Sequence, residues 1–248
     1  MSSAVLTREL DAHSGYIAAL GALGLDVVTM PVTHTEPPRD PLALPRALEH
    51  GGHAAIVIVS ARGAAALAQA RAHVTTLPEV FAVGPATHRA LAAAGITAQH
   101  PPDAIDGASL AQAMIASREL AGRRVLVPRA EDGRDDVITV LRSAGIEVVD
   151  VIAYRTVPTA ADDPVIAEGA QLLSTGTAAV CAVFAPSQVA ALAALLGPLA
   201  AVRVPFVAIG DTTAAVLREA GVANIAVAAS PTPEGLANAV ASVYTHRP

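Results

Sequence analysis

The polar residues of this chain that could do chemistry stand directly after short apolar runs that we predict to be β-strands. In open α/β sheets a ligand sits outside the carboxyl ends of the strands, so these residues are expected to lie near one another. Hydroxyls and free N–H groups at helix starts, with arginine nearby, are groups that bind anions. We therefore predict an anion-binding site built from Arg8, Ser60, Arg62, Gly84, Thr87, Arg129, Arg134, Ser187, Gly210, Thr212 and Thr213.

Most of these residues also have a simpler structural interpretation. The hydroxyls of Ser60, Thr87, Ser187 and Thr213 could cap helices. Three of the arginines could be solvated surface residues, and the two glycines could form tight turns between a strand and a helix; the three are Arg62, Arg129 and Arg134. Capping and ligand binding use the same end of a helix, so the two interpretations are compatible and both stay open.

The sequence lacks the motifs of several other kinds of active site. The chain has no cluster of cysteine and histidine, no paired carboxylates, and no serine, histidine and aspartate arranged for nucleophilic catalysis. His50 and His53 are separated by two glycines and lack the spacing of a metal-binding pair on one helix face. Neither of the common glycine-rich nucleotide-binding motifs occurs. The sequence therefore gives no motif support for a metal site or for nucleotide binding.

Composition and charge narrow the class of protein. Of 248 residues, 53% are apolar and 15% are charged, which excludes a disordered chain. Aromatic residues make up only 2%, which disfavours single-stranded nucleic-acid binding by base stacking. The net charge of −6 argues against a broad DNA-binding face. We expect no nucleic-acid partner.

Local features predict the compartment and the absence of a membrane partner. The single Cys181 lies in an apolar run and is expected to be a buried, unreactive thiol. The first residues show no charged segment followed by an apolar core, so we expect no signal peptide and a cytoplasmic location. The uncharged stretch 177–202 is interrupted by proline and glycine, which indicates a strand, turns and a helix instead of a membrane span.

Short β-branched runs alternate along the chain with alanine-rich helical stretches. The run Ile56-Val57-Ile58-Val59 precedes a predicted helix over 63–72, and the predicted strand 179–184 precedes a helix over 188–196. Continuous apolar strands are typical of parallel sheets whose two faces are covered by helices. The sequence therefore predicts the α/β fold class.

The chain also repeats itself, at two different offsets. The segment around Gly84 is similar to the segment around Gly210, and the segment that begins at Val5 is similar to the one that begins at Leu126. The repeated pieces are domain-sized and alternate, which indicates two similar domains. A cleft between two related domains is a common place for a ligand. Two extended segments that end in proline, residues 32–38 and residues 151–158, occupy equivalent places in the repeat, and we expect both to cross between the domains.

Several of these pieces, in this order and spacing, resemble the uroporphyrinogen-III synthase family over nearly the whole chain. The matching pieces are Val83-Gly84-Pro85-Ala86-Thr87, the block Leu126-Val127-Pro128-Arg129 with Gly133-Arg134, Leu141 and Gly145, Val151-Ile152-Ala153-Tyr154-Arg155-Thr156, Phe184-Ala185-Pro186-Ser187, Ala208-Ile209-Gly210-Asp211-Thr212-Thr213-Ala214 and Ser230-Pro231-Thr232-Pro233-Glu234.

The resemblance implies a fold that the chain order alone does not suggest. It implies two similar three-layer α/β/α domains with parallel sheets, exchanged in their segments and joined by a two-stranded β-ladder. Domain one would consist of residues 1–33 plus 157–248, and domain two of residues 38–150. The connectors would be residues 34–37 and 151–156.

The resemblance also implies a reaction, the closure of hydroxymethylbilane to uroporphyrinogen III with loss of water and inversion of ring D. It implies no cofactor, and it makes Tyr154 the candidate that assists departure of the hydroxyl group. The alternative for Tyr154 is a side chain that only packs in the connector. The predicted anion-binding residues would bind the substrate carboxylates. We expect a monomer, with the preceding enzyme of the pathway as a candidate transient partner.

Two positions depart from the family pattern, and two other functions stay open. Ala185 stands where serine is common in the family and Ala61 where proline is common. At Ala185 backbone amides must therefore bind the substrate in place of a serine hydroxyl.

A non-catalytic, two-lobed sensor of an anionic small molecule would show the same repeats, although such modules usually carry an export signal or an effector domain. An enzyme acting on a phosphorylated metabolite would fit the glycine and threonine turns, but no base or metal site supports it.

Overall fold

The computed structural model describes residues 2–10, 15–117 and 119–244. The chain divides into two compact units, one made of Met1–His34 and Val157–Pro248 and the other of Thr35–Thr156. The first unit is therefore discontinuous in sequence. The sequence-based division, with separate connectors, stays a prediction beside this one.

Strands and helices alternate as the sequence pattern predicts. The strands are β1 (Ser2–Leu6), β2 (Leu25–Thr29), β3 (Thr33–Glu36), β4 (His53–Ile58), β5 (Glu79–Ala82), β6 (Ala98–Gln99), β7 (Arg124–Ala130), β8 (Glu147–Pro158), β9 (Val180–Val183), β10 (Phe206–Ala208) and β11 (Ile225–Val227). The helices are α1 (Tyr16–Gly21), α2 (Ala43–His50), α3 (Ala61–Ala70), α4 (Gly84–Ala93), α5 (Gly107–Ser117), α6 (Asp136–Ser143), α7 (Pro164–Thr175), α8 (Pro186–Leu196), α9 (Asp211–Glu219) and α10 (Pro233–Val243).

The sheet of the first unit has the order β11-β10-β9-β1-β2, with parallel neighbours throughout. Successive residues of a strand point to opposite faces of the sheet, so one strand contributes side chains to two cores. Val5 and Cys181 belong to a core formed with α7, α8 and α9. Leu6 and Val180 belong to a second core formed with α1 and α10. The unit thus has three layers.

The sheet of the second unit has the order β3-β8-β7-β4-β5-β6. Ile56 and Ile58 pack on one face with α2, α3 and α4. Val57 and Phe81 pack on the other face with α5 and α6. Burial on both faces explains why these strands read as continuous apolar runs.

The predicted exchange of segments is confirmed. In the first unit β1 lies between β2 and β9, with Val5 opposite Cys181. In the second unit β4 lies beside β7, with Ile56 opposite Leu126. The order β6-β5-β4-β7-β8 therefore corresponds to β11-β10-β9-β1-β2, and the early part of each repeat completes the sheet of the other. The predicted α/β class with parallel sheets is also confirmed.

The two proline-terminated segments are both extended strands. β3 lies beside β8 at the edge of the sheet, which is the predicted ladder. Arg155 on β8 forms an ion pair with Glu36 on β3, and its Nε donates to the Pro37 carbonyl over 3.3 Å. These contacts fix the register of the edge strand next to Tyr154.

The uncharged stretch 177–202 folds as punctuated elements. It contains β9, α8 and a short turn of 3₁₀ helix at Leu199–Ala201. Within residues 2–10, 15–117 and 119–244, no helix combines the length and apolarity needed to cross a membrane. Cys181 on β9 is fully buried, which confirms that part of its prediction. Burial raises the pKa of its thiol, which favours the predicted lack of reactivity.

Candidate functional site

In the second unit the predicted residues lie where the sequence places them, just past the carboxyl ends of β4, β5 and β7. Ser60 follows β4 and begins α3, Gly84 follows β5 and begins α4, and Arg129 lies in the last two residues of β7. Parallel strands bring these ends to one edge of the sheet. Tyr154 lies on β8, the neighbour of β7, with Tyr154 opposite Ala130.

A cavity of about 290 Å³ opens at this edge. Arg129, Arg134 and Tyr154 line it, together with Asp106 and Asp136 at the starts of α5 and α6. Three of the predicted residues thus meet around one space. The cavity carries both positive and negative side chains.

The Tyr154 hydroxyl is held in a defined place. It lies 2.9 Å from Oγ of Ser60, and the tyrosine side chain is buried, with 9% of the residue exposed. Ser60 Oγ also accepts a hydrogen bond of 3.0 Å from the backbone N–H of Gly63, which caps α3. The capping interpretation of Ser60 is therefore confirmed, and the same hydroxyl also contacts the candidate catalytic tyrosine.

Arg129 is engaged inside its own unit. Its Nε and Nη2 donate to the two carboxylate oxygens of Asp150 over 2.7 and 2.9 Å, and Asp135 lies 3.3 Å away. Its Nη1 donates to the Gly133 carbonyl over 3.0 Å. The bonds to Asp150 raise the pKa of the guanidinium above its usual value. Arg129 therefore fastens the loop between β7 and α6, in addition to lining the cavity.

Asp106 is a charged residue of the cavity that the sequence analysis did not select. Its Oδ1 accepts from the Ser109 N–H over 2.8 Å and from the Ser109 O–H over 2.7 Å. These bonds, with Arg134 nearby, hold the pKa of the carboxyl below its usual value. The pattern Asp106-Gly107-Ala108-Ser109 is typical of a helix start, so the sequence indicates the bonds between Asp106 and Ser109. The sequence does not indicate that Asp106 lies near Arg134, because the fold brings these two residues together. Arg134 itself is exposed and pairs with Asp136.

The other predicted residues of the second unit lie apart from this cavity. Thr87 is buried in the first turn of α4, which begins without a side-chain cap, and Gly84 has a left-handed φ of +70° at the turn into that helix. Arg62 lines a larger cavity of about 630 Å³ beside Tyr154, with a mostly apolar wall that includes Pro37 and Leu44. Tyr154 thus contributes to both cavities.

In the first unit the predicted residues also follow the carboxyl ends of strands. Arg8 follows β1, and its guanidinium carbon lies 5.2 Å from the centre of the Phe184 ring, a cation–π contact. Tyr16 packs edge-on against the same ring, and burial raises the pKa of its phenol. Neither Phe184 nor Tyr16 belongs to the site predicted from the sequence.

A buried polar contact fixes the loop after β9. The hydroxyl of Thr7 lies 2.7 Å from Oε1 of Gln188, and the backbone N–H of Phe184 donates to the same oxygen over 2.8 Å. Both polar side chains are buried. The only sequence signal for Thr7 is its place directly after a strand and before Arg8.

The hydroxyls of α8 and α9 do not cap their helices. α8 begins after Ala185 and α9 after Gly210, each without a side-chain cap. Ser187 and Thr212 are exposed in the first turns, whereas Thr213 is buried. Of the four hydroxyls for which capping was an open interpretation, Ser60 is therefore the one whose side chain caps a helix.

In the described ranges 2–10, 15–117 and 119–244, no group of three or more histidine, cysteine, aspartate or glutamate side chains is placed to hold a metal ion.

Known proteins with similar sequences and structures agree on one family. A sequence model of the family described as uroporphyrinogen-III synthase HemD matches residues 14–238. The uroporphyrinogen-III synthase of Synechococcus elongatus is 31% identical over 157 residues, which cover 60% of this chain and 59% of that protein. The aligned region thus spans less than two thirds of the relative.

Two solved structures share the fold over almost the whole chain. One is a mutant uroporphyrinogen III synthase from the extreme thermophile Thermus thermophilus, with a TM-score of 0.64, 21% identity and 98% coverage of both chains. The other is the uroporphyrinogen-III synthetase of Helicobacter pylori, with a TM-score of 0.64, 16% identity and coverage of 98% of this chain and 99% of that one. At these identities the likeness concerns the fold, and the match to the sequence model of the family shows that this chain belongs to the uroporphyrinogen-III synthase family.

Proposed function

We propose that this protein is a uroporphyrinogen-III synthase, a lyase that closes hydroxymethylbilane into uroporphyrinogen III. The family membership supports the reaction class. The observation that carries the proposal is Tyr154, which lines a cavity at the carboxyl edge of a parallel sheet and whose hydroxyl lies 2.9 Å from that of Ser60. A fixed O–H donor beside such a cavity suits a reaction that begins with departure of a hydroxyl group.

In the proposed reaction Tyr154 gives its proton to the hydroxyl oxygen on ring A of the bilane. The carbon–oxygen bond breaks, its electron pair leaves with water, and a cation delocalised over ring A remains. The substituted carbon of ring D attacks this cation, and the resulting spiro intermediate rearranges with ring D inverted. Loss of a proton from the ring carbon restores the pyrrole, and that proton balances the one Tyr154 supplied.

The substrate carries eight carboxylates, which hydroxyls, backbone amides and arginines at strand ends would bind. The starts of α4, α8 and α9 have no side-chain cap, which leaves first-turn N–H groups for anions. Arg129 and Arg134 already contact carboxylates of their own unit, so Arg8 and Arg62 are the better candidates for direct contact. The rest of the predicted set stays a proposal, except for Ser60, whose hydroxyl already contacts Tyr154 and the Gly63 N–H.

The proposal includes one small-molecule substrate and no cofactor. Holding a flexible bilane in the conformation that permits ring closure can supply a large part of a rate enhancement. A cytoplasmic location, a monomeric state and a transient contact with the preceding enzyme stay predictions from the sequence. The sensor of an anionic molecule is not favoured, because the matched family is one of synthases.

An isomer assay tests the proposal. Freshly made hydroxymethylbilane is mixed with the purified protein, and the oxidised porphyrins are separated into types I and III. Uncatalysed closure gives type I without inversion, so heat-denatured protein is the matched control. We expect mainly type III from the native protein. Type I alone, at the rate of the control, would remove the synthase proposal.

A further inference from the structure

The contact between Ser60 and Tyr154 joins two elements that are far apart in sequence. Ser60 lies between β4 and α3, in extended backbone with φ −156° and ψ 155°, and Tyr154 lies on β8. Their oxygens are 2.9 Å apart. The Gly63 N–H donates to the same Ser60 oxygen over 3.0 Å, which fixes that oxygen at the end of the helix.

Counting the protons shows what the pair can do. Two hydroxyl groups carry two protons, and the bond between them uses one. The other proton is left for a further acceptor. Tyr154 lines the cavity at the strand ends. The arrangement that presents a proton to this cavity is therefore the one in which Ser60 donates to Tyr154 and the phenol O–H points away from Ser60.

The same arrangement helps once Tyr154 has given its proton away. The phenolate oxygen then accepts from Ser60 O–H, and hydrogen bonds to charged oxygens are shorter and stronger than neutral ones. Ser60 stands at the N-terminus of α3, a helix of ten residues whose dipole places positive potential there. Both effects favour the negative charge that develops on Tyr154.

We propose that Ser60 is a positioning residue that orients the Tyr154 O–H toward the cavity and stabilises the phenolate, and is not itself a ligand for a substrate carboxylate. This assignment rests on the proposed function for its kinetic consequences. Its geometric part, that Ser60 donates to Tyr154, does not depend on any activity.

Three substitutions distinguish the effect of losing the Ser60 hydroxyl from the effect of losing the helix cap. Ser60→Gly removes the hydroxyl, and glycine is tolerated at an N-cap far better than alanine. Ser60→Thr keeps both the hydroxyl and the cap. Tyr154→Phe removes the phenol oxygen and keeps the ring. Thermal unfolding of each variant confirms that it is folded before any other measurement.

Near-ultraviolet absorption measured without substrate shows which hydroxyl donates in the hydrogen bond between Ser60 and Tyr154. The chain has three tyrosines and no tryptophan, so subtracting the spectrum of Tyr154→Phe isolates the Tyr154 band. A phenol absorbs at longer wavelength when it donates a hydrogen bond and at shorter wavelength when its oxygen accepts one. We expect the band to move to longer wavelength in Ser60→Gly and to stay in place in Ser60→Thr. No movement in Ser60→Gly, or movement to shorter wavelength, would overturn the geometric assignment.

The rate of type III formation by the same proteins tests whether Ser60 assists proton donation by Tyr154. We expect Ser60→Gly to lower kcat about 10- to 100-fold, the range of one charge-assisted hydrogen bond, with KM unchanged. In the Tyr154→Phe background the same substitution is expected to have no further effect. A raised KM, or an equal loss in both backgrounds, would show that Ser60 binds substrate and would overturn the assignment. If the wild type forms no type III product, the proposed function fails, and the absorption band alone decides whether Ser60 donates to Tyr154.

Discussion

The Ser60 hydroxyl makes two contacts, since it accepts from the Gly63 N–H at the start of α3 and lies 2.9 Å from the Tyr154 hydroxyl. Capping by Ser60 was an open interpretation from the sequence, and the structure confirms it. The second contact, to Tyr154, joins segments that are remote in sequence, and no local pattern indicates it. Asp106 is similar, because its bonds to Ser109 follow from a helix-start pattern, whereas the neighbouring charge of Arg134 is supplied by the fold.

The lowered pKa of Asp106 predicts a pH dependence of stability. A carboxyl with a lowered pKa in the folded state stabilises the protein at pH values above its unfolded pKa, about 3.9, and this contribution is lost as the pH falls through the folded value. Asp106→Asn cannot ionise. We expect the wild type to have the higher melting temperature at neutral pH and the difference to shrink below about pH 4.

The measurement is thermal unfolding of both proteins between neutral and acidic pH. Asp103→Asn, in the same loop, controls for the loss of one negative charge. A difference between wild type and Asp106→Asn that stays constant across this range would contradict the interpretation.

Helices and strands were largely predictable, because their signals are local. The apolar runs and the glycines after helices predict most of the elements to within a few residues; α3, for example, begins at Ala61 instead of Gly63. Close contacts between elements were not predictable in this way. Gly169 on α7 packs against Met30, which follows β2, and the two belong to segments brought together by the exchange.

Gly169→Ala is predicted to destabilise the first unit. A Cβ at this position would lie 2.7 Å from Cβ of Met30, closer than the two carbons can approach. Overpacking of a core typically costs about 1–3 kcal/mol, whereas alanine in a helix gains up to about 1 kcal/mol over glycine. We expect a net loss of up to about 2 kcal/mol in urea unfolding.

Gly21→Ala is the matched control for this substitution. Gly21 ends α1, and a Cβ there would meet no atom within 4 Å. We expect this variant to be as stable as the wild type or slightly more stable. Unfolding of Gly169→Ala at the same urea concentration as the wild type would contradict this prediction. It would show that Met30 moves aside without a loss of stability.

For the whole molecule, the alternating repeats and the family resemblance together predicted the exchange of segments that the sheets confirm. The physical reason is that β1 and β7 carry the same pattern, and each occupies the same place beside a strand of the other repeat. The repeats alone would also fit two consecutive domains without exchange. The resemblance was therefore needed to choose between these architectures.

The exchange predicts how fragments of the chain fold. The fragment 35–156 contains β4 to β8 and both of their cores, so we expect cooperative urea unfolding when it is made alone. The fragment 157–248 lacks β1, whose removal leaves one edge of β9 without its partner and opens both cores. We expect it to fold only when a peptide of residues 1–34 is added.

Circular dichroism during urea titration checks this prediction. The peptide of residues 1–34 with its β1 residues Val5 and Leu6 changed to serine is the control, because it cannot fill either core. Cooperative unfolding of 157–248 alone, unaffected by the peptide, would contradict the role of β1.

The most direct measurement is the initial rate of type III formation by Tyr154→Phe beside the wild type, with melting temperatures showing that both are folded. The loss of a general acid typically lowers a rate by about 10²- to 10⁴-fold, and we predict a loss in this range. The type III product should still exceed type I, since the groups that hold the bilane remain. A rate equal to that of the wild type would contradict the assignment of Tyr154 as the proton donor.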